Sequence, residues 1–305
     1  MLTRFFNLVL RAVALAGILF GSAPNAIANP QSYTVTSSDG VRLAVQESGN
    51  PDGPAVIFIH GLLGSRLNWD AQVQSARLQR YRIITYDLRG HGLSDKPLGR
   101  QSYQDGRRWA DDLAAVIRGA HAKKPVLVGW SLGGVVMSNY LAAYGDHEIA
   151  GAVYVDGVIE LAAGQIVAHP DVYRDMTSSN LRTHLDGERT FLSLCFNHPP
   201  DADTFDRLLA NAAMASWDMQ SAVPSMSVFA VDGLGNARVP LMLIYGQRDS
   251  LVDTPLTVAR AIRLNPRFTT KVYADSGHAP FMEEPERFNR DLDDFIASTT
   301  GHGPR

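Results

Sequence analysis

Apolar residues fall along the chain in two rhythms. Residues 55–59, 82–86, 126–128 and 152–155 are near-continuous apolar runs, the pattern of strands buried on both faces of a sheet. Between most of them lie stretches of helical periodicity, clearest at Trp109, Leu113, Val116 and Ile117 and again over residues 135–144. Ahead of these, residues 33–36 and 41–47 alternate around Ser38-Asp39-Gly40, which predicts a hairpin that opens the sheet. Residues 239–245 and 269–273 read as two further core strands, and residues 286–296 as a closing amphipathic helix. Strands alternating with helices predict an α/β fold, a mostly parallel eight-stranded sheet with helices on both faces.

The rhythm breaks between residues 157 and 238. No strand-like run of comparable strength appears there, and amphipathic helical pieces are separated by Pro170, Pro199-Pro200 and Pro224. This predicts a helical cap inserted into a core made of residues 29–156 and 239–298, with a tail at 299–305.

The sharpest chemical signal is Gly129-Trp130-Ser131-Leu132-Gly133, placed directly after the strand that ends at Val128 and before a helix that begins near Gly134. A serine at such a strand-to-helix turn sits in a strained backbone with its hydroxyl exposed, and glycines flank it because side chains there would strike the neighbouring strand and helix. Its hydroxyl needs a base. Of the nine histidines, His278 follows a strand through Ala274-Asp275-Ser276-Gly277, so it is expected in a solvent-facing loop at a strand's carboxyl end. His121, His147, His169, His184, His198 and His302 lie in helical, cap or tail segments.

The carboxylate that fixes the imidazole tautomer is read as Asp249, just after the strand through Tyr245, with Asp156 at the end of residues 152–155 as the alternative. Asp253, two residues before Pro255, is read as a helix N-cap. Oxyanion donors are expected from the backbone amides of Leu62, in His60-Gly61-Leu62, and of Leu132, with His60 orienting its loop. Trp130, Phe191, Phe196, Met214, Trp217 and Met219 are candidates for an apolar pocket over the serine. No histidines or cysteines cluster at zinc-like spacing, so neither a metal nor another cofactor is expected.

Together Asp87-Leu88-Arg89-Gly90-His91-Gly92-Leu93-Ser94, the Gly-Trp-Ser-Leu-Gly turn and Ser276-Gly277-His278-Ala279-Pro280 resemble the α/β-hydrolase superfamily, over about residues 33–297. Within it the chain resembles bacterial carboxylesterases and cofactor-free haloperoxidase (perhydrolase) relatives, which similarly run from Ser-Gly-His into an acidic stretch, here Glu284 to Phe288. The resemblance implies cleavage of an ester or lactone of a small, mostly apolar substrate through an acyl-enzyme. Two alternatives are a perhydrolase activity on the same triad and a receptor-like binder with slow turnover. Serine at residue 131 argues against the epoxide hydrolases and haloalkane dehalogenases of this fold, which use aspartate there.

Composition adds an address. With 45% hydrophobic and 19% charged residues the chain reads as a folded protein, and the single Cys195 can form no intramolecular disulfide. Arg4 and Arg11 flank an apolar start, a second apolar run reaches Phe20, and Ala26-Ile27-Ala28 offers a cleavage site, so residues 1–28 read as a signal peptide. An uncleaved anchor is the alternative, but Arg11 leaves the run short of the roughly 20 residues a membrane span needs. Removing two arginines takes the formal charge of −3 to −5. A periplasmic or secreted protein with a small-molecule substrate, no nucleic-acid partner and no stable membrane span is expected.

Overall fold

The computed structural model describes residues 30–301. The leader read at residues 1–28 and the last tail residues, 302–305, lie outside that range. Eight strands, β1 (Gln31–Thr36), β2 (Arg42–Gly49), β3 (Ala55–Ile59), β4 (Arg82–Tyr86), β5 (Val126–Trp130), β6 (Gly151–Val155), β7 (Leu241–Gly246) and β8 (Phe268–Tyr273), form one sheet in the order β1-β2-β4-β3-β5-β6-β7-β8. β2 pairs antiparallel with β1 and β4, and every other pairing is parallel.

The central strands follow their composition: every residue of β3, β5, β6 and β7 is buried, as strands covered on both faces must be. The opening hairpin turns at Gly40, whose φ of 86° suits glycine, with Ser37 N–H donating to Val41 O at 2.8 Å. β8 departs from the expected core strand. It is one of the two sheet edges, and of its residues only Phe268 and Tyr273 are buried, with Thr269, Thr270 and Lys271 supplying polar groups that suit an edge.

Helices fill the connections: α1 (Asp70–Val73), α2 (Gln101–Gln104), α3 (Gly106–Gly119) and α4 (Leu132–Tyr144) before β6, five more between β6 and β7, then α10 (Thr254–Leu264), α11 (Pro280–Glu283) and α12 (Pro285–Thr300) after β7. α3 buries Trp109, Leu113, Val116 and Ile117 on one stripe. α12 runs to Thr300, beyond the expected helix, and ends on Gly301 at φ 71°.

Between β6 and β7 stand α5 (Pro170–Met176), α6 (Leu181–Leu194), α7 (Ala202–Ala212), α8 (Trp217–Ala222) and α9 (Ala230–Asn236). Proline starts α5, where its missing N–H costs no helix bond. The last of these helices packs on the core helix α4, so closely that a Cβ on Gly233 would lie 2.2 Å from Ser138 O. Among the described residues no helix is long and apolar enough to cross a membrane.

Sheet order fixes where a site can form. β4 lies on one side of β3 and β5 on the other, so the connections leave β3 and β5 in opposite directions. A crevice opens outside their carboxyl ends at such a switch, and the loops there carry Gly61-Leu62 and Ser131.

Candidate active site

Ser131 stands between the last residue of β5 and the first of α4, at φ 53° and ψ −116°. A positive φ is uncommon for a residue with a side chain and persists where the surroundings over-determine it. Here Ser131 N–H donates to Val155 O at 3.0 Å, while Ser131 O accepts from Gly134 N at 2.9 Å and Val158 N at 3.0 Å. The flanking glycines are steric necessities. A Cβ on Gly129 would lie 2.6 Å from Met137 Cε and 2.7 Å from Gly133 O, and one on Gly133 would lie 2.6 Å from Ile59 O.

His278 lies in the loop between β8 and α11. Its Nδ1 is 2.7 Å from Asp249 Oδ2, and Asp249 Oδ1 accepts from Leu251 N at 2.8 Å and Val252 N at 3.0 Å. With the Nδ1 proton on the Asp249 side, Nε2 is left as the basic nitrogen. Contrary to the expected solvent-facing position, the His278 side chain is 2% exposed. Trp130 covers it: its indole N–H donates to His278 O at 2.6 Å and its ring lies 5.7 Å from the imidazole.

Asp156 is close by because β6 and β7 are adjacent and parallel, with Val155 opposite Ile244. Its Oδ1 accepts from Gly246 N at 2.8 Å. Burial first, and then the neighbouring Asp249, raise its carboxyl well above the usual range. Among the described residues, Asp156, Asp249 and His278 are the acidic and imidazole groups close enough together to share an ion, and the His278–Asp249 contact within that set is a hydrogen bond.

Gly61 and Leu62 follow β3, whose Ile59 is registered with Gly129 of β5. A Cβ on Gly61 would lie 2.9 Å from the Ser131 Cβ, so the loop touches the serine. Leu132, as first residue of α4, carries an amide with no acceptor inside its own helix. His60 Nε2 accepts from Leu88 N at 2.9 Å and its Nδ1 is 2.8 Å from Gly61 O, which ties the loop in place. Burial lowers the His60 imidazole to about 4, and burial, followed by the repulsion a second charge would meet from the adjacent His60 ring, lowers His91 to about 3, so both are neutral framework groups.

Ser131, His278, Leu62 and Leu132 share the wall of one cavity of about 320 Å³, within the range of roughly 300–1,000 Å³ for small-molecule sites. The wall is mainly apolar. Val135, Leu251 and Val252 supply it from the core, and Val158, Tyr173, Met176, Phe191 and Val223 from the segment between β6 and β7.

Residues 56–291 match the alpha/beta hydrolase family. The chain belongs to that family. The match runs from β3 into the first half of α12 and includes Leu62, Ser131, Asp249 and His278. Among similar proteins, the bifunctional esterase/perhydrolase DCH of Acinetobacter calcoaceticus is 26% identical over 281 residues, 87% of this chain and 99% of that one. The crystal structure of a putative aryl esterase from Burkholderia cenocepacia is 69% identical, with a TM-score of 0.88, covering 89% of this chain and 100% of that one. The esterase RhEst1 from Rhodococcus sp. ECU1013 is 29% identical, with a TM-score of 0.81 over 88% of this chain and 99% of its own.

Of the residues expected to line this α/β hydrolase's pocket, Phe191 does so and the others do not. Trp130 lies behind the turn, its ring 5.2 Å from Phe281. Met214 and Trp217 are 44% and 42% exposed, and the Trp217 ring lies 4.1 Å from that of His184. Met219 is buried, its Cβ 3.0 Å from where Gly90 would carry one, and Phe196 is half-buried outside the wall. Tyr173 and Met176 were missed, although their i, i+3 spacing on a short proline-started helix was the signal that could have found them. Which face of each helix looks inward depends on its partner, which the periodicity does not name.

Proposed function

We propose that this α/β hydrolase cleaves a carboxylic ester or lactone of a small, mostly apolar substrate through an acyl-enzyme on Ser131. The observation that carries the reading is the 2.7 Å contact of His278 Nδ1 with Asp249, with His278 and the strained Ser131 on the wall of one apolar cavity. Ser131 Oγ gives its proton to His278 Nε2 and attacks the acyl carbon. The amides of Leu62 and Leu132 stabilise the oxyanion, Asp249 the imidazolium. Collapse passes that proton to the departing alkoxide, and water, activated by the same imidazole, releases the acid and restores the serine. Three similar proteins named as esterases support this reading.

The name of the Acinetobacter relative supports a second activity at the same site. Hydrogen peroxide in place of water at the second step yields a peracid from the acyl-enzyme, with no change of residues. We also propose that residues 1–28 direct export and are removed near Ala28, leaving a periplasmic or secreted enzyme that begins near Asn29.

A fluorophosphonate and a nitrophenyl ester test the reading together. The expected result is one label, on Ser131, lost in Ser131→Ala, and an ester burst followed by steady turnover. A burst without turnover would favour a binding role, and folded protein that neither takes the probe nor cleaves an ester or lactone would end the hydrolase reading. Mass spectrometry of natively expressed protein decides export, since an intact Met1 in the cytoplasm would refute it.

A further inference from the structure

Behind the Asp249–His278 pair lies a second carboxyl to which the hydrolytic cycle assigns no step. Asp156, the residue after β6, is fully buried and sits at φ 40°, in the left-handed region that Asp and Asn enter more readily than most side chains. Its Oδ1 is anchored on Gly246 N, and its Oδ2 is buried without a hydrogen-bond partner. One oxygen of Asp156, one of Asp249 and a ring nitrogen of His278 lie within 4.8 Å of one another. The titratable groups facing it are Tyr245 and Asp249, on and after β7, and His278 and Glu283, beyond β8. Two buried carboxylates this close cannot both ionise without great cost. Asp249 is the one held charged, since it accepts from two backbone amides and faces the imidazole N–H.

We propose that Asp156 is a positioning residue that keeps its own proton: a neutral carboxyl, anchored on Gly246, that presents its O–H to the Asp249 carboxylate and steadies it beside His278. Burial and the charge of Asp249 act in the same sense, both favouring the neutral form. His278 then faces one carboxylate charge from this pair and not two. This use of the proton rests on the hydrolytic reading of Ser131 and His278.

Asp156→Asn tests it, because asparagine keeps the shape, suits the positive φ and offers an N–H where the O–H stood. NMR follows the titration of the His278 imidazole in both proteins, and the acidic limb of kcat/KM for a nitrophenyl ester is measured alongside. Both midpoints are expected to move by less than about half a unit. Were Asp156 ionised, asparagine would remove a negative charge close to the imidazole, worth roughly two units at an effective dielectric constant of about 20. A fall of half a unit or more therefore overturns the proposal. Asp156→Gly also suits the backbone but leaves Asp249 without the donor, and kcat is expected to fall about tenfold at nearly constant KM, with asparagine recovering most of the loss. Wild-type kcat in the glycine variant would overturn the positioning role. The NMR arm needs no turnover, so failure of the hydrolase reading and failure of this proposal remain distinguishable.

Discussion

Gly61 has no room for a side chain, and this makes it a probe of the oxyanion loop. Alanine there would set its Cβ 2.9 Å from the Ser131 Cβ and 3.0 Å from the Trp130 ring, so the loop must retreat and carry the Leu62 amide with it. Gly61→Ala is expected to lower kcat by about a hundredfold, the effect of losing one oxyanion donor, with little change in melting temperature. Asp249→Asn should cost roughly 10⁴ in kcat, since the wrong tautomer then faces Ser131. Steady-state kinetics and thermal melts of the two variants check both.

Asp156 also sets a pH dependence of stability. Its carboxyl is raised in the folded protein, above an unfolded value of about 3.9, so the native state holds a proton that the unfolded chain has released. That contribution is fully present below the unfolded value and is lost as pH rises toward the folded one, by up to about 1.4 kcal/mol per pH unit. Asparagine has no such proton to hold. The melting temperature of Asp156→Asn should therefore gain on wild type between pH 4 and pH 7, and a constant difference would sink the assignment. The placement of Ser131, Asp249 and His278 at strand ends was legible because each follows a strand-like run, whereas the surroundings of Asp156 depend on a second acid brought near through space.

Among the elements, the central strands were readable because burial on both faces leaves continuous apolar runs, while β8 was misjudged because Phe268 and Tyr273 mark the ends of a strand whose middle is solvated. The short α11 shows what a pattern cannot reveal. Its Glu283 accepts from Gly277 N at 2.8 Å with one oxygen, and from Asn197 N at 3.1 Å and His198 N at 2.7 Å with the other. One carboxylate thus clasps the turn before His278 to the chain that leaves α6, where a Cβ on Gly277 would lie 2.6 Å from Asn197 N. Glu283→Ala frees three amides at once. A several-fold rise in KM and faster proteolysis near His198 are expected, and unchanged values of both would show that the clasp does not couple the two segments.

At the scale of the molecule, the sheet order places the serine turn and the Gly61-Leu62 loop at neighbouring strand ends, and the segment between β6 and β7 supplies much of the remaining wall. Both parts of the chain thus shape the cavity. Phe191, on α6, is buried and lines the cavity, so it limits the room left for the substrate. Phe191→Leu keeps an apolar filler of smaller volume and should admit a longer chain. A methylene in an apolar pocket is worth roughly 10- to 200-fold in kcat/KM, so the ratio of an octanoyl to an acetyl nitrophenyl ester, or of an octyl to an ethyl acetate, is expected to rise about tenfold. A shift in the first series alone would assign this end of the cavity to the acyl group, and in the second alone to the alcohol. If neither ratio moved while the variant kept wild-type activity on acetate, the cavity beneath Phe191 would not be where the substrate lies.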